Sequence, residues 1–278
     1  MYIFDDGKWD IHSDNLIAPL NFSFLFGCGI FDTLPIYNKK PLCMHFHLER
    51  LFNSIQYFGI PFDNSPEDIT SIVLDGIEKY DVHEGKIRIV VDFGTGSKED
   101  YFKRSKNASL VVLLIPSVIH KKGKRSWKLT KGWFNRSKTN VIFKHKTTSI
   151  MENFISRERL KNSEFDEAVL TTDDGILLEC IFSNIFYIKN DVVYTPSLDL
   201  PILNGTMRRF VLERCSEKGI AIEEIITNLD VLNEVDAFFV TNSISGAVPI
   251  EFYNGKTYRT DHPLMDKIVE ICEKEYFA

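Results

Sequence analysis

Apolar positions in the first third of the chain follow two different spacings. Ile30–Tyr37, Lys86–Asp92 and Ser109–Pro116 are short apolar runs that read as strands. Leu48, Leu51, Phe52, Ile55 and Phe58 instead recur at the spacing of a helix that begins near His45. The stretch M-Y-I-F-D-D-G-K-W-D predicts a hairpin turning at Asp6-Gly7, and Asn38-Lys39-Lys40 predicts a second turn leading into Leu42–Met44. Ser65-Pro66-Glu67-Asp68 opens another helix, with proline at the first helical position and carboxylates in the first turn.

Past the basic run Lys121-Lys122-Gly123-Lys124-Arg125 the pattern restarts. A strand is expected at 140–143. A helix over about 149–162 should follow it behind the capping-box spacing Ser149-x-x-Glu152. Glu167–Thr172, Ile176–Cys180, Ile185–Ile188, Val192–Thr195 and Ala237–Thr241 read as strands, with turns at Asp173-Asp174-Gly175 and Asn254-Gly255. The helix opening at Thr206 should stop at Gly219, a residue suited to the left-handed C-cap, and a last helix starts near Pro263. The fold class implied is α+β in two domains: a small one over 1–117, a linker over 118–125, and a larger one over 126–278, with a site between them.

Composition narrows the function without naming it. The 278 residues are 44% hydrophobic and 26% charged, and the net charge is −6. An acidic chain whose one basic run is a short glycine-containing linker is a poor partner for nucleic acid. Leu110–Pro116, the longest apolar run, is too short to span a bilayer, and the N-terminus lacks the pattern of a signal peptide. Five scattered cysteines without a C-x-x-C pair suit reduced thiols, so a cytoplasmic location is expected.

Several stretches carry candidate chemistry. His45 and His47 lie two apart at a helix start and point away from each other, so no metal site is expected there. Asp92-Phe93-Gly94 lacks the other kinase motifs, and Gly94-Thr95-Gly96-Ser97-Lys98 lacks the leading glycine of a P-loop. Leu203-Asn204-Gly205-Thr206-Met207-Arg208 feeds a glycine into a helix, which leaves backbone N–H groups available for a phosphate or is simply a helix start. Glu179 sits in the apolar run L-L-E-C-I-F, either on an exposed edge or paired with a cation in a pocket. In I-F-K-H-K-T-T-S-I-M-E-N, a lysine at the strand-to-helix joint is either a solvated charge or a nucleophile. Lys144 and Lys146, two apart, cannot be separated by strand periodicity.

Taken in order, these pieces resemble the class IV (fold type IV) pyridoxal-phosphate enzymes, the D-amino-acid aminotransferase-like fold. The matching segments are F-G-C-G-I-F-D-T (26–33), H-L-E-R-L (47–51), the lysine segment, F-D-E-A-V-L (165–170), D-D-G-I-L-L-E-C-I-F-S-N-I-F (173–186), Y-T-P (194–196), I-L-N-G-T-M-R (202–208) and T-N-S-I-S-G-A-V-P (241–249). The resemblance implies a pyridoxal 5'-phosphate cofactor, a small-molecule amine substrate and a homodimer. It places the Schiff-base lysine, which also shuttles protons, at Lys146 on the larger domain. It gives Glu179 the pyridine nitrogen, the amides of Gly205, Thr206 and Met207 the phosphate, and Arg50 and Ser243 further phosphate contacts. Phe31, Lys98 and Ser245 would face the substrate.

Within that group the texture is closest to 4-amino-4-deoxychorismate lyases, which form 4-aminobenzoate and pyruvate on the way to folate. Branched-chain aminotransferases usually carry a tyrosine five residues past the lysine, where this chain has Met151, and F-E-G where it has Phe31-Asp32-Thr33. The carboxylate trap of D-amino-acid aminotransferases is replaced by Phe31, Lys98 and Asp100. The lyase is therefore the first expectation, an aminotransferase of branched-chain or D-amino acids the second, and a non-catalytic binding module the third.

Overall fold

A computed structural model of the chain describes residues 1–5, 7–11, 20–97, 100, 102–103, 108–119 and 126–277. Two compact units result, one of residues 1–121 with 145–149, the other of residues 122–144 with 150–278. Lys146, expected with the later part of the chain, is held by the first unit. Residues 120–125 of the expected linker lie outside the described residues.

The first unit contains β1 (Tyr2–Asp5), β2 (Lys8–Ile11), α1 (Phe22–Phe26), β3 (Gly29–Tyr37), β4 (Lys40–Pro41), α2 (Met44–Phe58), α3 (Pro66–Lys79), β5 (Glu84–Asp92) and β6 (Ser109–Pro116). The strands form one sheet in the order β2-β1-β6-β5-β3-β4. Its long strands bury alternate residues: Ile30, Leu34 and Ile36 on β3, Ile87, Ile89 and Val91 on β5, Val112 and Leu114 on β6. Against this face pack Leu48, Leu51 and Ile55 of α2 and Ile69, Val73 and Ile77 of α3. Each such side chain contributes about 1.5–3 kcal/mol by burial. Ser65 and Asp68 form the capping box that opens α3. Leu42–Met44 is not a strand as expected. Asn38 and Lys39 both take left-handed φ in a tight hairpin, β4 ends at Pro41, and Cys43, itself left-handed, turns the chain into α2.

The second unit contains β7 (Trp127–Arg136), α4 (Met151–Leu160), β8 (Glu167–Thr172), β9 (Leu177–Cys180), β10 (Asn184–Lys189), β11 (Val192–Pro196), α5 (Thr206–Glu217), β12 (Ile222–Ile225), β13 (Ala237–Asn242), β14 (Gly246–Tyr253), β15 (Lys256–Thr257) and α6 (Pro263–Ile271). Its sheet runs β12-β11-β10-β13-β14-β7-β8-β9, with β15 beside β14. β8 is paired in parallel with β7 and is buried along its whole length, which suits an interior parallel strand. Two expectations are corrected here. Residues 141–144 are a 3-10 turn with Val141 and Ile142 exposed, and the strand of this region is β7, upstream of it. Ser149 caps nothing: α4 starts at Met151 without a side-chain cap, because the Glu152 carboxylate is bound to Arg136. Among the described residues no helix is long and apolar enough to cross a membrane.

Candidate active site

In the first unit the lysine segment lies along the edge of β3. The Phe31 N–H donates to the Lys146 carbonyl at 2.8 Å, the Thr148 N–H donates to the Gly29 carbonyl at 2.8 Å, and Ile30 pairs with Thr147. The Thr148 hydroxyl donates to the Gly27 carbonyl at 2.8 Å. This pairing fixes the direction of the Lys146 side chain, and its Nζ lies 4.9 Å from the centroid of the Phe31 ring. His145 points to α2 instead, where Nδ1 lies 2.9 Å from the Ser54 hydroxyl and the ring sits against Tyr57 and Phe58. Lys144 belongs to the other unit, where its Nζ donates to the Leu198 carbonyl at 2.8 Å.

Arg50 is anchored from beneath. Its Nε and Nη2 donate to the two oxygens of Asp32, each at 2.8 Å, and Asp32 Oδ1 also lies 2.7 Å from His47 Nδ1. Burial alone would raise the Asp32 pKa, but Arg50 and His47 hold its carboxyl well below the usual carboxylate range. Burial pushes His47 down. Asp32 opposes that shift, while the charges of Arg50 and Lys146 add to it. His47 Nε2 is buried with no hydrogen-bond partner among the described residues. From the sequence, His47 is weighed only as a metal ligand and Asp32 only as a departure from F-E-G, although an acid in the middle of a buried strand is a signal in itself.

One residue of this unit went unnoticed altogether. Arg88 of β5 stands opposite Thr33 in register, and its guanidinium carbon is 4.4 Å from the centroid of Phe31, on the ring that Lys146 also approaches. Its Nε donates to the Thr33 hydroxyl at 3.3 Å, and no carboxylate pairs with it among the described residues. Burial lowers its pKa. Lys98, expected to face the substrate, lies outside the described residues.

The second unit gathers the remaining expected residues. Glu179 on β9 is 7% exposed, which removes the exposed-edge explanation. Its Oε1 accepts from Arg136 Nη1 at 2.6 Å, and Oε2 accepts from Asn184 Nδ2 at 3.0 Å and the Leu203 N–H at 3.1 Å. Arg136, 4% exposed, also holds Glu152 and lies over Phe143. Gly205 is the N-cap of α5 and offers no side chain to the first-turn amides, although Thr206 and Met207 are buried there. A buried, uncapped helix start favours an anion. Ser243 and Ser245 lie in the turn joining β13 and β14, next to Thr241, whose buried hydroxyl has no partner among the described residues. A Cβ at Gly205 would collide with Asn184 Oδ1. Gly205→Ala should therefore displace the amide that supports Glu179 and weaken cofactor retention, measured as a rise in the dissociation constant with most of the melting temperature kept.

The profile of the Amino-transferase class IV family matches residues 29–252, which spans the lysine segment, Glu179, α5 and the 241–246 turn. The chain belongs to the class IV aminotransferase family. Enzymes of this class depend on pyridoxal phosphate, which bears out the resemblance read from the motifs and its cofactor. The aminodeoxychorismate lyase of Bacillus subtilis is 26% identical over 248 residues, covering 89% of this chain and 85% of its own length. A putative branched-chain-amino-acid aminotransferase of Methanocaldococcus jannaschii is 25% identical over 259 residues, with coverages of 92% and 89%. The crystal structure of a putative 4-amino-4-deoxychorismate lyase from Legionella pneumophila superposes with a TM-score of 0.87 at 25% identity, covering 94% of this chain and 95% of that one.

Each unit by itself holds groups of the kind this cofactor needs. The first has the Lys146 amine and the Arg50 guanidinium anchored by Asp32; the second has the buried Glu179 carboxylate and the start of α5, which no side chain caps.

Proposed function

We propose that this class IV enzyme is a lyase of the aminodeoxychorismate type, releasing pyruvate from a cyclic amino acid and leaving an aromatic amine. The observation that carries this reading is the Phe31 ring with the Lys146 amine and the Arg88 guanidinium both against it. A substrate with an amine at one end of a six-membered ring and a carboxylate at the other would bring its amine-bearing carbon to Lys146 and its carboxylate to Arg88, beside the Phe31 ring. Arg88 replaces Lys98 here as the residue assigned to the carboxylate. Support also comes from the Bacillus subtilis relative, and from Met151 and Phe31, neither of which has a phenol for holding an amino-acid carboxylate.

When bound, pyridoxal phosphate supplies an aldehyde for the substrate amine and a ring that takes up the electron pair released at the amine-bearing carbon. Lys146 would hold that aldehyde and would serve as the base for the proton on the amine-bearing carbon. Glu179, kept in place by Arg136, Asn184 and the Leu203 N–H, is assigned the proton of the ring nitrogen. Arg50 carries phosphate charge, and Asp32 and His47 fix its guanidinium plane. The amides of Gly205, Thr206 and Met207 and the Ser243 hydroxyl are proposed as further phosphate contacts. The enolpyruvyl oxygen leaves as the ring becomes aromatic, and a proton returned to its methylene carbon gives pyruvate. The products together contain the atoms of the substrate, so no water or keto acid is consumed.

Incubation with 4-amino-4-deoxychorismate and no keto acid should release pyruvate over many turnovers. Activity that strictly requires a keto acid would instead establish the second reading, an aminotransferase like the Methanocaldococcus relative. Arg88→Ala should raise KM on the order of ten- to a hundredfold, the value of a charged hydrogen bond, with a smaller change in kcat. The enzyme is further proposed to act as a cytoplasmic homodimer. Met151 and Phe154, exposed at 69% and 57% on α4, are large apolar side chains that an interface would cover.

A further inference from the structure

Lys146 lies near one end of a short paired stretch. Its segment belongs to the first unit from His145 onward, whereas Lys144 belongs to the second. The two backbone bonds to β3, from the Phe31 N–H to the Lys146 carbonyl and from the Thr148 N–H to the Gly29 carbonyl, fall at residue 146 or beyond it. So do the contacts of the Thr148 hydroxyl, 2.8 Å from the Gly27 carbonyl and 3.3 Å from that of Gly29. A paired segment opens most easily at its ends, where the fewest contacts have to break. An opening at this end would carry the Lys146 side chain away from Phe31.

His145 closes that end. Its half-buried ring places Nδ1 2.9 Å from the hydroxyl of Ser54, which is itself buried. The ring centroid stands 4.4 Å from that of Tyr57 and 4.6 Å from that of Phe58. Tyr57 and Phe58 meet each other edge to face, so the imidazole completes a cluster of three rings. Arg50, Ser54, Tyr57 and Phe58 occur at i, i+4, i+7 and i+8 and share one face of α2. The Arg50 guanidinium is bound to Asp32, the residue that follows Phe31 on β3. The lysine segment, β3 and α2 thus form a closed triangle. Backbone bonds join the segment to β3, Asp32 and Arg50 join β3 to α2, and His145 joins α2 back to the segment. Without the last side, the segment is held from β3 alone.

We propose that His145 is a positioning residue: seated on Ser54, Tyr57 and Phe58, it holds the lysine segment on β3 and so keeps the Lys146 amine beside Phe31. That this amine captures the cofactor rests on the function proposed above. The anchoring itself does not.

Two readouts keep those claims apart. Amide hydrogen exchange on the cofactor-free protein reads the anchoring alone. His145→Ala should speed exchange at Phe31 and Thr148 about tenfold, while β5 and β6 keep their protection and the melting temperature changes little. The second readout is labelling by pyridoxal, which lacks the phosphate, followed by borohydride, with Lys144 of the same sample as the internal reference. The ratio of label on Lys146 to label on Lys144 should fall about tenfold in His145→Ala, because the amine is no longer held in place. Ser54→Ala, which removes one oxygen atom, should move both readouts in the same direction. If His145→Ala does not fold, Ser54→Ala carries the test on the same two criteria. Exchange within about twofold of wild type would overturn the proposal. Fast exchange with an unchanged labelling ratio would overturn it as well, since the segment would then be loosened without moving the amine. Wild-type protein labelled at Lys144 in place of Lys146 would sink the proposed cofactor lysine, and the exchange rates would still decide the anchoring.

Discussion

Lys146→Ala should lower kcat by at least three orders of magnitude, a scale on the order of that found when a nucleophile acting in concert with its site is removed. The variant should also lose the visible absorption that an amine-bound pyridoxal group gives the wild type. Lys144→Ala is the matched control. Its amine is hydrogen-bonded to the Leu198 carbonyl, so truncation should cost about 1 kcal/mol of stability and leave turnover largely intact. Steady-state kinetics and absorption spectra of the two variants side by side check both outcomes. Equal losses in both, or a larger loss in Lys144→Ala, would reverse the assignment.

Asp32→Ala should be the most destabilising single change at the site. The carboxylate is 1% exposed and is shared by Arg50, through two hydrogen bonds, and His47. Removing one partner of a buried ion pair and leaving the other typically costs about 3–5 kcal/mol. Chemical denaturation at neutral pH should show this loss, and a cofactor titration should show weaker binding because Arg50 is no longer held. The pH dependence follows from the directions of the two shifts. Asp32 has a folded pKa below its unfolded one, so its contribution is present above about pH 4 and is lost as pH falls further. His47 is also shifted down, so the folded state favours neutral imidazole, and stability declines as pH falls below about 6.5. Asp32→Asn should therefore lack the acid-side decline that begins near pH 4. An unchanged acid limb in that variant would mean that Asp32 does not carry it.

Local signals made the strand-and-helix plan of the first unit legible. Apolar spacing marked β3, β5, β6 and α2, and Ser65-Pro66 marked the start of α3. The same kind of signal failed at Ser149-x-x-Glu152, because a capping box needs the acid to turn back on its own helix and Arg136 takes it instead. That competitor is 16 residues away and could not be read from the local pattern. Ordered motifs singled out Lys146, Glu179 and Gly205, the residues on which the proposed function is built. Arg88 is a single basic residue in an apolar run, and only the register of β5 against β3 puts it beside Phe31. Arg136 and Glu179 are 43 residues apart, and Asn242 donates to the Ser183 hydroxyl across 59 residues. Such pairings are set by sheet order, which periodicity does not report.

The central claim is that one particular amine captures the cofactor. Borohydride reduction of the protein after incubation with pyridoxal phosphate, followed by proteolysis and mass spectrometry, locates that bond directly. The account predicts a single phosphopyridoxyl group on the peptide carrying Lys146, and on that lysine rather than its neighbour. Modification at Lys144, or a label scattered over surface lysines, would contradict it.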